Sequence, residues 1–166
     1  TVRGYSFDNP TQYAQTWSLT LQRQIAQNWM AEVGYVGSRG INLLYSYNHN
    51  EVRLGSGTVE ERRPVQALRN IPSITIFEPM NSSIFHAMTA KVERRFASGF
   101  QLLGAYTYGK SLDYGGSVAS GGGSTGGPNT VTCIACGYGP SGFDVKHRLV
   151  TNALYDLPIG KGRKMN

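Results

Sequence analysis

The sequence predicts an all-β chain built as an antiparallel meander of hairpins. Three observations predict it: an uncharged polar composition, stretches of strict period-2 alternation, and a hairpin pattern that occurs twice. Charged residues make up 16% of the 166 positions and glycine numbers 21, against about 25% charged and about 7% glycine in ordinary soluble domains. That mixture disfavours helical bundles and coiled coils. Ten residues are Tyr, and Ser, Thr, Asn and Gln fill the charge deficit, which suits strands whose polar face carries uncharged groups. Length and a 40% hydrophobic content fit one domain-sized segment, residues 1–166.

The first strand is read from residues 13–25. Its odd positions are Tyr13, Gln15, Trp17, Leu19 and Leu21, and its even positions are Ala14, Thr16, Ser18, Thr20 and Gln22. Period-2 alternation of this kind marks a half-buried strand. Ala26, Gln27 and Asn28 turn the chain, and alternation resumes with Trp29, Ala31, Val33 and Tyr35 against Met30, Glu32, Gly34 and Val36. A second copy follows: a strand from Phe85 to Phe96, a turn at Ala97, Ser98 and Gly99, then Phe100, Leu102, Gly104, Tyr106 and Tyr108 on one face. Laid over each other, the copies place Arg23 on Arg94, Ala26 on Ala97, Trp29 on Phe100 and Tyr35 on Tyr106. A fifth strand runs from about His147 to Leu157, with Leu149, Thr151, Ala153 and Tyr155 on one face. The alternation puts Trp17, Leu19, Leu21, Val33, Tyr35, Leu102 and Tyr106 on a common apolar face.

The connections alternate in length. Turns are short near Asn28, Gly99 and Gly160, and long segments cover about 38–83 and 111–142. Tight turns at one end, long loops at the other and aromatics near strand ends are the layout of an outer-membrane β-barrel. Two long loops without structure of their own are uncommon in a compact soluble domain. Within the first loop, 71–80 is apolar and fits an extra strand, a ligand contact or packing against the barrel mouth.

Several separate motifs sharpen this. Asn9-Pro10-Thr11, the run Gln15 to Arg23, the run Asn28 to Gly40, His86-Ala87 with Lys91 to Phe96, Ala105 to Asp113, and Phe143 to Arg148 leading to Tyr155 to Arg163 together resemble the barrel portion of large TonB-dependent outer-membrane receptors that carry an N-terminal carboxypeptidase-regulatory-like domain. The resemblance implies residence in the bacterial outer membrane and uptake of a bound nutrient, an oligosaccharide or peptide. Such receptors resemble 22-stranded barrels with a plug; this chain offers about five strands and no plug or TonB box. Bacterial outer-membrane barrels need an even number of at least about eight strands. The expected partners are therefore outer-membrane lipid, the remaining strands of a larger barrel or other copies of the chain, and an unidentified small nutrient. Thr1 in place of Met and the tail Gly160 to Asn166 point to a processed chain or a piece of a longer one.

Other functions are weaker on chemical grounds. No run of about 18 apolar residues could form a membrane-crossing helix, and the N-terminus lacks the basic and apolar regions of a signal peptide. The net charge is +6, yet the densest basic groups, Glu60-Glu61-Arg62-Arg63 and Glu93-Arg94-Arg95, contain acids, so no nucleic-acid partner is expected. Residues 104–111 fit the letters of a phosphate-binding loop, G-x-x-x-x-G-K-S. Two tyrosines in an alternating strand and a glycine-rich continuation do not supply the strand-to-helix turn that cradles phosphate. Neither a nucleotide nor any other cofactor is expected.

Gly122-Gly123-Ser124-Thr125-Gly126 fits the G-x-S-x-G pattern, with Asp144 and His147 following in hydrolase order. The match sits in a Gly/Ser stretch, 117–127, where such patterns arise by chance. Ser124, Asp144 and His147 define the alternative function, a secreted β-rich hydrolase or ligand-binding module; no catalytic set is assigned to the main reading. Cys133 and Cys136 form a lone C-x-x-C. A structural zinc site needs two more ligands, and His49, His86 and His147 do not have finger spacing. In a loop of an exported protein a local disulfide is favoured over metal or free thiols. His86 and His147 read as ordinary interface or hydrogen-bonded histidines.

Overall fold

The computed structural model describes residues 2–115, 131–157 and 159. Seven strands follow in order: β1 (Val2–Tyr5), β2 (Tyr13–Ala26), β3 (Trp29–Asn48), β4 (Ile74–Ala97), β5 (Phe100–Asp113), β6 (Gly139–Pro140) and β7 (His147–Tyr155). Short 3₁₀ turns lie at Gln66–Leu68 and Ile134–Gly137. All strands join one sheet in the order β2-β3-β4-β5, with β6 and β7 both on β5 and β1 on β4. The fold is all-β, and no helix among the described residues is long and apolar enough to cross a membrane.

The meander has the expected sense. Only Gln27 and Asn28 separate β2 from β3, and only Ser98 and Gly99 separate β4 from β5, and so short a link joins only antiparallel strands. Ser98 at φ 54° and Gly99 at φ 79° both adopt the left-handed conformation of a type I′ hairpin turn, which glycine enters without strain. The Asp156 N–H donates to Gly99 O at 2.7 Å. β3 and β4 run antiparallel, tied at their two ends by the His49 N–H on Ile74 O and the Arg95 N–H on Asn28 O. β5 and β7 pair from Phe100 opposite Tyr155 to Tyr108 opposite His147. One strand departs from the meander: β1 runs parallel to β4, Val2 against Ile74 through Tyr5 against Phe77. Four residues are too few to show a period in sequence.

The long connections differ most from expectation. Residues 38–48 and 74–83 are strand, not loop, so β3 and β4 are 20 and 24 residues long. Ile41, Leu43, Tyr45 and Tyr47 carry the alternation past Gly40. Interspersed Ser, Arg and Asn, and a left-handed Asn42 at φ 55°, disguise it as loop composition. The apolar 71–80 stretch supplies the start of β4. β5 likewise runs to Asp113, and β6 and a 3₁₀ turn lie within the second long segment. Its Gly/Ser stretch, 117–127, falls outside the described residues.

The chain divides into two compact units. One, the loop unit, comprises Thr1–Thr16, Ser38–Phe85 and Lys110–Asp144; the other, the hairpin unit, comprises Trp17–Gly37, His86–Gly109 and Val145–Asn166. In the loop unit Tyr45 and Asn50 are completely buried. Asn50 organises the 49–73 connection: its Nδ2 donates to Leu68 O at 3.2 Å and Ile71 O at 2.8 Å, and its Oδ1 accepts the Val65 N–H at 3.2 Å. Arg63 Nη1 donates to Asn50 O at 2.7 Å and Pro72 O at 3.0 Å. Asn48 Oδ1 accepts the N–H groups of Asn50 and Ile74. A connection that composition reads as structureless thus satisfies part of its backbone from the side-chain amides of Asn48 and Asn50, which a single sequence does not reveal.

Candidate functional site

The hairpin unit presents two chemically distinct faces. Leu19, Leu21 and Leu149 are 65%, 69% and 71% exposed, and with Val33, Met88, Leu102 and Tyr106 they line the apolar one. The opposite face carries Ser18, Thr20, Gln22, Gln24, Glu32, Thr89, Lys91 and Glu93 on β2, β3 and β4. Backbone geometry fixes this division. A Cβ on Gly34 would point between Thr20 Oγ1 and Thr89 Oγ1, at 3.4 and 2.7 Å, so those three share the polar face. A Cβ on Gly37 would overlap Trp17 Cε2 and Nε1, so Gly37 and Trp17 share the apolar one. Lys91 Nζ and Glu93 Oε2 pair at 3.2 Å on the polar face. On β5 and β7 the second face is mixed, with Gln101, Thr107, Arg148 and Asn152 beside Leu103 and Val150.

Two aromatic belts bound the apolar face. At the short-turn end the Arg94 guanidinium lies 5.8 Å from the Trp29 ring centroid and 5.1 Å from that of Phe100, and Phe100 meets Tyr155 at 6.4 Å. At the other end Trp17, Tyr35 and His86 cluster, with each ring centroid 6.0 Å from the histidine. Tyr35 Oη and His86 Nδ1 are hydrogen-bonded at 2.6 Å. Further along the sheet Tyr106 Oη and His147 Nδ1 repeat that pair at 2.7 Å. Tyr108 packs 5.2 Å from His147, and Lys146 Nζ sits 5.9 Å from the Tyr108 ring. His86 stands eight positions from Arg94, and His147 eight from Tyr155. At about 3.3 Å per residue that is about 26 Å along a strand, and a usual barrel tilt of about 40° brings it to about 20 Å of height, close to the apolar band of such barrels.

Exposed leucines between amphipathic rings have a physical reading. In water such a face would collapse or associate. In a bilayer the leucines meet acyl chains while Trp, Tyr, His and Arg reach the headgroups. The apolar face thus fits a lipid-facing band and the polar one a barrel interior.

The residues singled out for other chemistry have these positions. Asp144 Oδ1 accepts the Ser111 N–H at 2.8 Å, and Ser111 Oγ and Ser141 Oγ share a buried hydrogen bond at 2.9 Å. His147 Nδ1 is engaged by Tyr106. Ser124 lies outside the described residues. The 104–111 motif lies within strand β5. Cys133 and Cys136 are joined, with their Cα atoms 5.3 Å apart. No metal-ligand group occurs among the described residues. The sequence reading missed both Tyr–His pairs, although the repeat alignment of Tyr35 on Tyr106 was a signal for them.

Comparison with curated proteins and with solved structures found no match. The family described as an outer membrane beta barrel domain matches residues 1–166. Spanning the whole chain, this match shows that the protein belongs to the outer membrane beta barrel domain family and resides in the bacterial outer membrane.

Proposed function

We propose that this barrel segment belongs to a TonB-dependent receptor that takes up a small nutrient, an oligosaccharide or a peptide. The observation that carries the proposal is the loop unit. Its 49–73 connection is held by the buried Asn50 amide, and Glu51 Oε2 accepts the Val131 N–H at 2.7 Å, linking two long connections. Loops ordered by their own hydrogen bonds offer a fixed surface for a ligand, as binding with little ordering cost requires. The motif resemblance over both hairpins supports the same reading. The alternative hydrolase gains no support from Asp144 and His147, since each is engaged by a different partner.

The test is uptake. A strain lacking the gene, grown on defined oligosaccharides or peptides as sole source, is expected to lose use of one substrate. The intact gene restores it only in cells with TonB function. Unchanged growth on every substrate, or restoration without TonB, contradicts the proposal.

A further inference from the structure

The loop unit carries two aromatic pairs that its own packing leaves open. β1 lies parallel beside β4 with Arg3 opposite Thr75 and Tyr5 opposite Phe77, so these four residues share one face of the two strands. The other face is committed to the unit's interior. A Cβ on Gly4 would touch Ile76 Cδ1 at 3.5 Å, Ile74 is buried, and Glu78 accepts the Tyr47 hydroxyl at 3.1 Å. On the first face the Tyr5 and Phe77 rings stack with centroids 5.2 Å apart, yet Tyr5 stays 66% exposed. Stacking covers one side of that ring and leaves the other to solvent.

The second pair stands at the end of β5. Tyr114 directly follows the strand, and Tyr138 follows the 3₁₀ turn held by the Cys133–Cys136 disulfide. A Cβ on Gly137 would lie 2.9 Å from Tyr114 O, so the glycine lets the stapled turn press against residue 114. The two rings meet at 4.9 Å, and Tyr138 is 46% exposed. Asn81 ties this place to β4, its Nδ2 donating to Gly115 O at 3.4 Å. Asn81 stands four positions from Phe77 on β4, about 13 Å along the strand.

Open rings of this kind mark binding surfaces. The electron-rich face of an aromatic ring suits the C–H face of a sugar ring, whose hydroxyls then radiate toward polar groups beside the aromatic. Thr75 offers a hydroxyl there and Arg3 a guanidinium, and neither side chain has a hydrogen bond or ion pair among the described residues. An exposed arginine without a carboxylate favours a ligand that brings one, because its fork of N–H donors matches a carboxylate bidentately. The distance from one pair to the other exceeds a single sugar ring.

We infer that the two pairs are platforms for an oligosaccharide bearing carboxylates, with Tyr5 and Tyr138 stacking on separate sugar rings and Arg3 holding an acid group beside Tyr5. This rests on the reading of the loop unit as the ligand surface, and it narrows the substrate class from oligosaccharide or peptide to acidic oligosaccharide.

A glycan array probed with the full natural protein in detergent tests the inference. The array carries neutral, uronate-bearing and sialate-bearing sugars, each as single sugars and as short oligosaccharides, beside polyglutamate peptides. Binding is expected on acidic oligosaccharides, and on neither single sugars nor polyglutamate. Tyr5→Ala and Tyr138→Ala are each expected to weaken it about tenfold, a usual weight for one aromatic contact, while Tyr5→Phe and Tyr138→Phe keep it. Arg3→Gln is expected to remove the preference for acidic over neutral oligosaccharides. Heat-modifiability of each variant checks that the barrel is folded. Binding to polyglutamate, to neutral sugars alone or to nothing on the array overturns the inference, as does binding unchanged in both alanine variants. The two levels fail separately: TonB-dependent growth on a peptide with no glycan bound defeats the platforms alone, whereas acidic-glycan binding without TonB-dependent growth keeps the platforms and defeats the uptake reading.

Discussion

The indole of Trp17 lies against Gly37 on the neighbouring strand, filling the volume that any Cβ at position 37 would occupy. The glycine leaves a gap in the apolar face and the tryptophan closes it, a cross-strand compensation that also seats Trp17 beside His86 in one aromatic belt. Glycine in a strand ordinarily weakens it; here its lack of a side chain positions a belt residue.

Substitution separates these two roles of glycine. Gly37→Ala is expected to displace the indole and cost about 1–3 kcal/mol, the usual range for overpacking. Gly104→Ala, where an added Cβ meets nothing within 4 Å, is expected to be neutral or to stabilise by a few tenths of a kcal/mol. Urea midpoints of the protein folded in lipid vesicles compare them directly.

The two faces of β2 should respond oppositely to charge. Leu21 lies midway along the apolar band, so Leu21→Arg is expected to destabilise by about 2–4 kcal/mol. Gln22→Arg, one residue further and on the polar face, is expected to change stability by less than about 1 kcal/mol. The same vesicle unfolding experiment reads both, and equal effects would mean that the faces are misassigned.

Asn50→Leu removes the acceptor for the Val65 N–H and the donor to Ile71 O, at about 1–3 kcal/mol for each group left without a partner, whereas Leu68 O keeps the Ile71 N–H. The strain should fall on the 49–73 connection. Limited trypsinolysis is expected to cut after Arg53, Arg62 or Arg69 in the variant well before the wild type, while the strands stay heat-modifiable.

Cys133 caps a 3₁₀ turn that contains Cys136, and the outer surface of the cell is oxidising. Intact mass after thiol alkylation without reductant is expected to show no label in protein taken from outer membranes, and two labels after reduction. Stoichiometric zinc, or two labels without reductant, would contradict the disulfide.

The hairpins were legible in sequence because their order is local. Trp17 to Leu21 and Trp29 to Tyr35 alternate strictly, and the fifth strand's Leu149, Thr151, Ala153 and Tyr155 pair directly with Tyr106, Gly104, Leu102 and Phe100, on the same face of the sheet. The 38–83 region was read as loop because what holds it is not periodic. Asn42 interrupts the extended backbone with a left-handed residue, and Asn48 and Asn50 replace ladder bonds with side-chain amides, a device that composition scores as coil. The parallel partner of β1 depends on pairing across about seventy residues, which no local pattern encodes. Among the candidate site residues, the histidines were read as hydrogen-bonded and are, but their tyrosine partners depend on cross-strand register.

The central claim is that β2 sits in lipid with one face outward, and a spin-label scan of positions 16–24 in outer membranes tests it most directly. Collision rates with oxygen, which partitions into the bilayer, are expected to peak at Trp17, Leu19, Leu21 and Arg23. Collision rates with a water-soluble nickel chelate are expected to peak at Thr16, Ser18, Thr20 and Gln22. A uniform profile, or the chelate reaching Leu19 and Leu21 as readily as Ser18 and Thr20, would contradict the account.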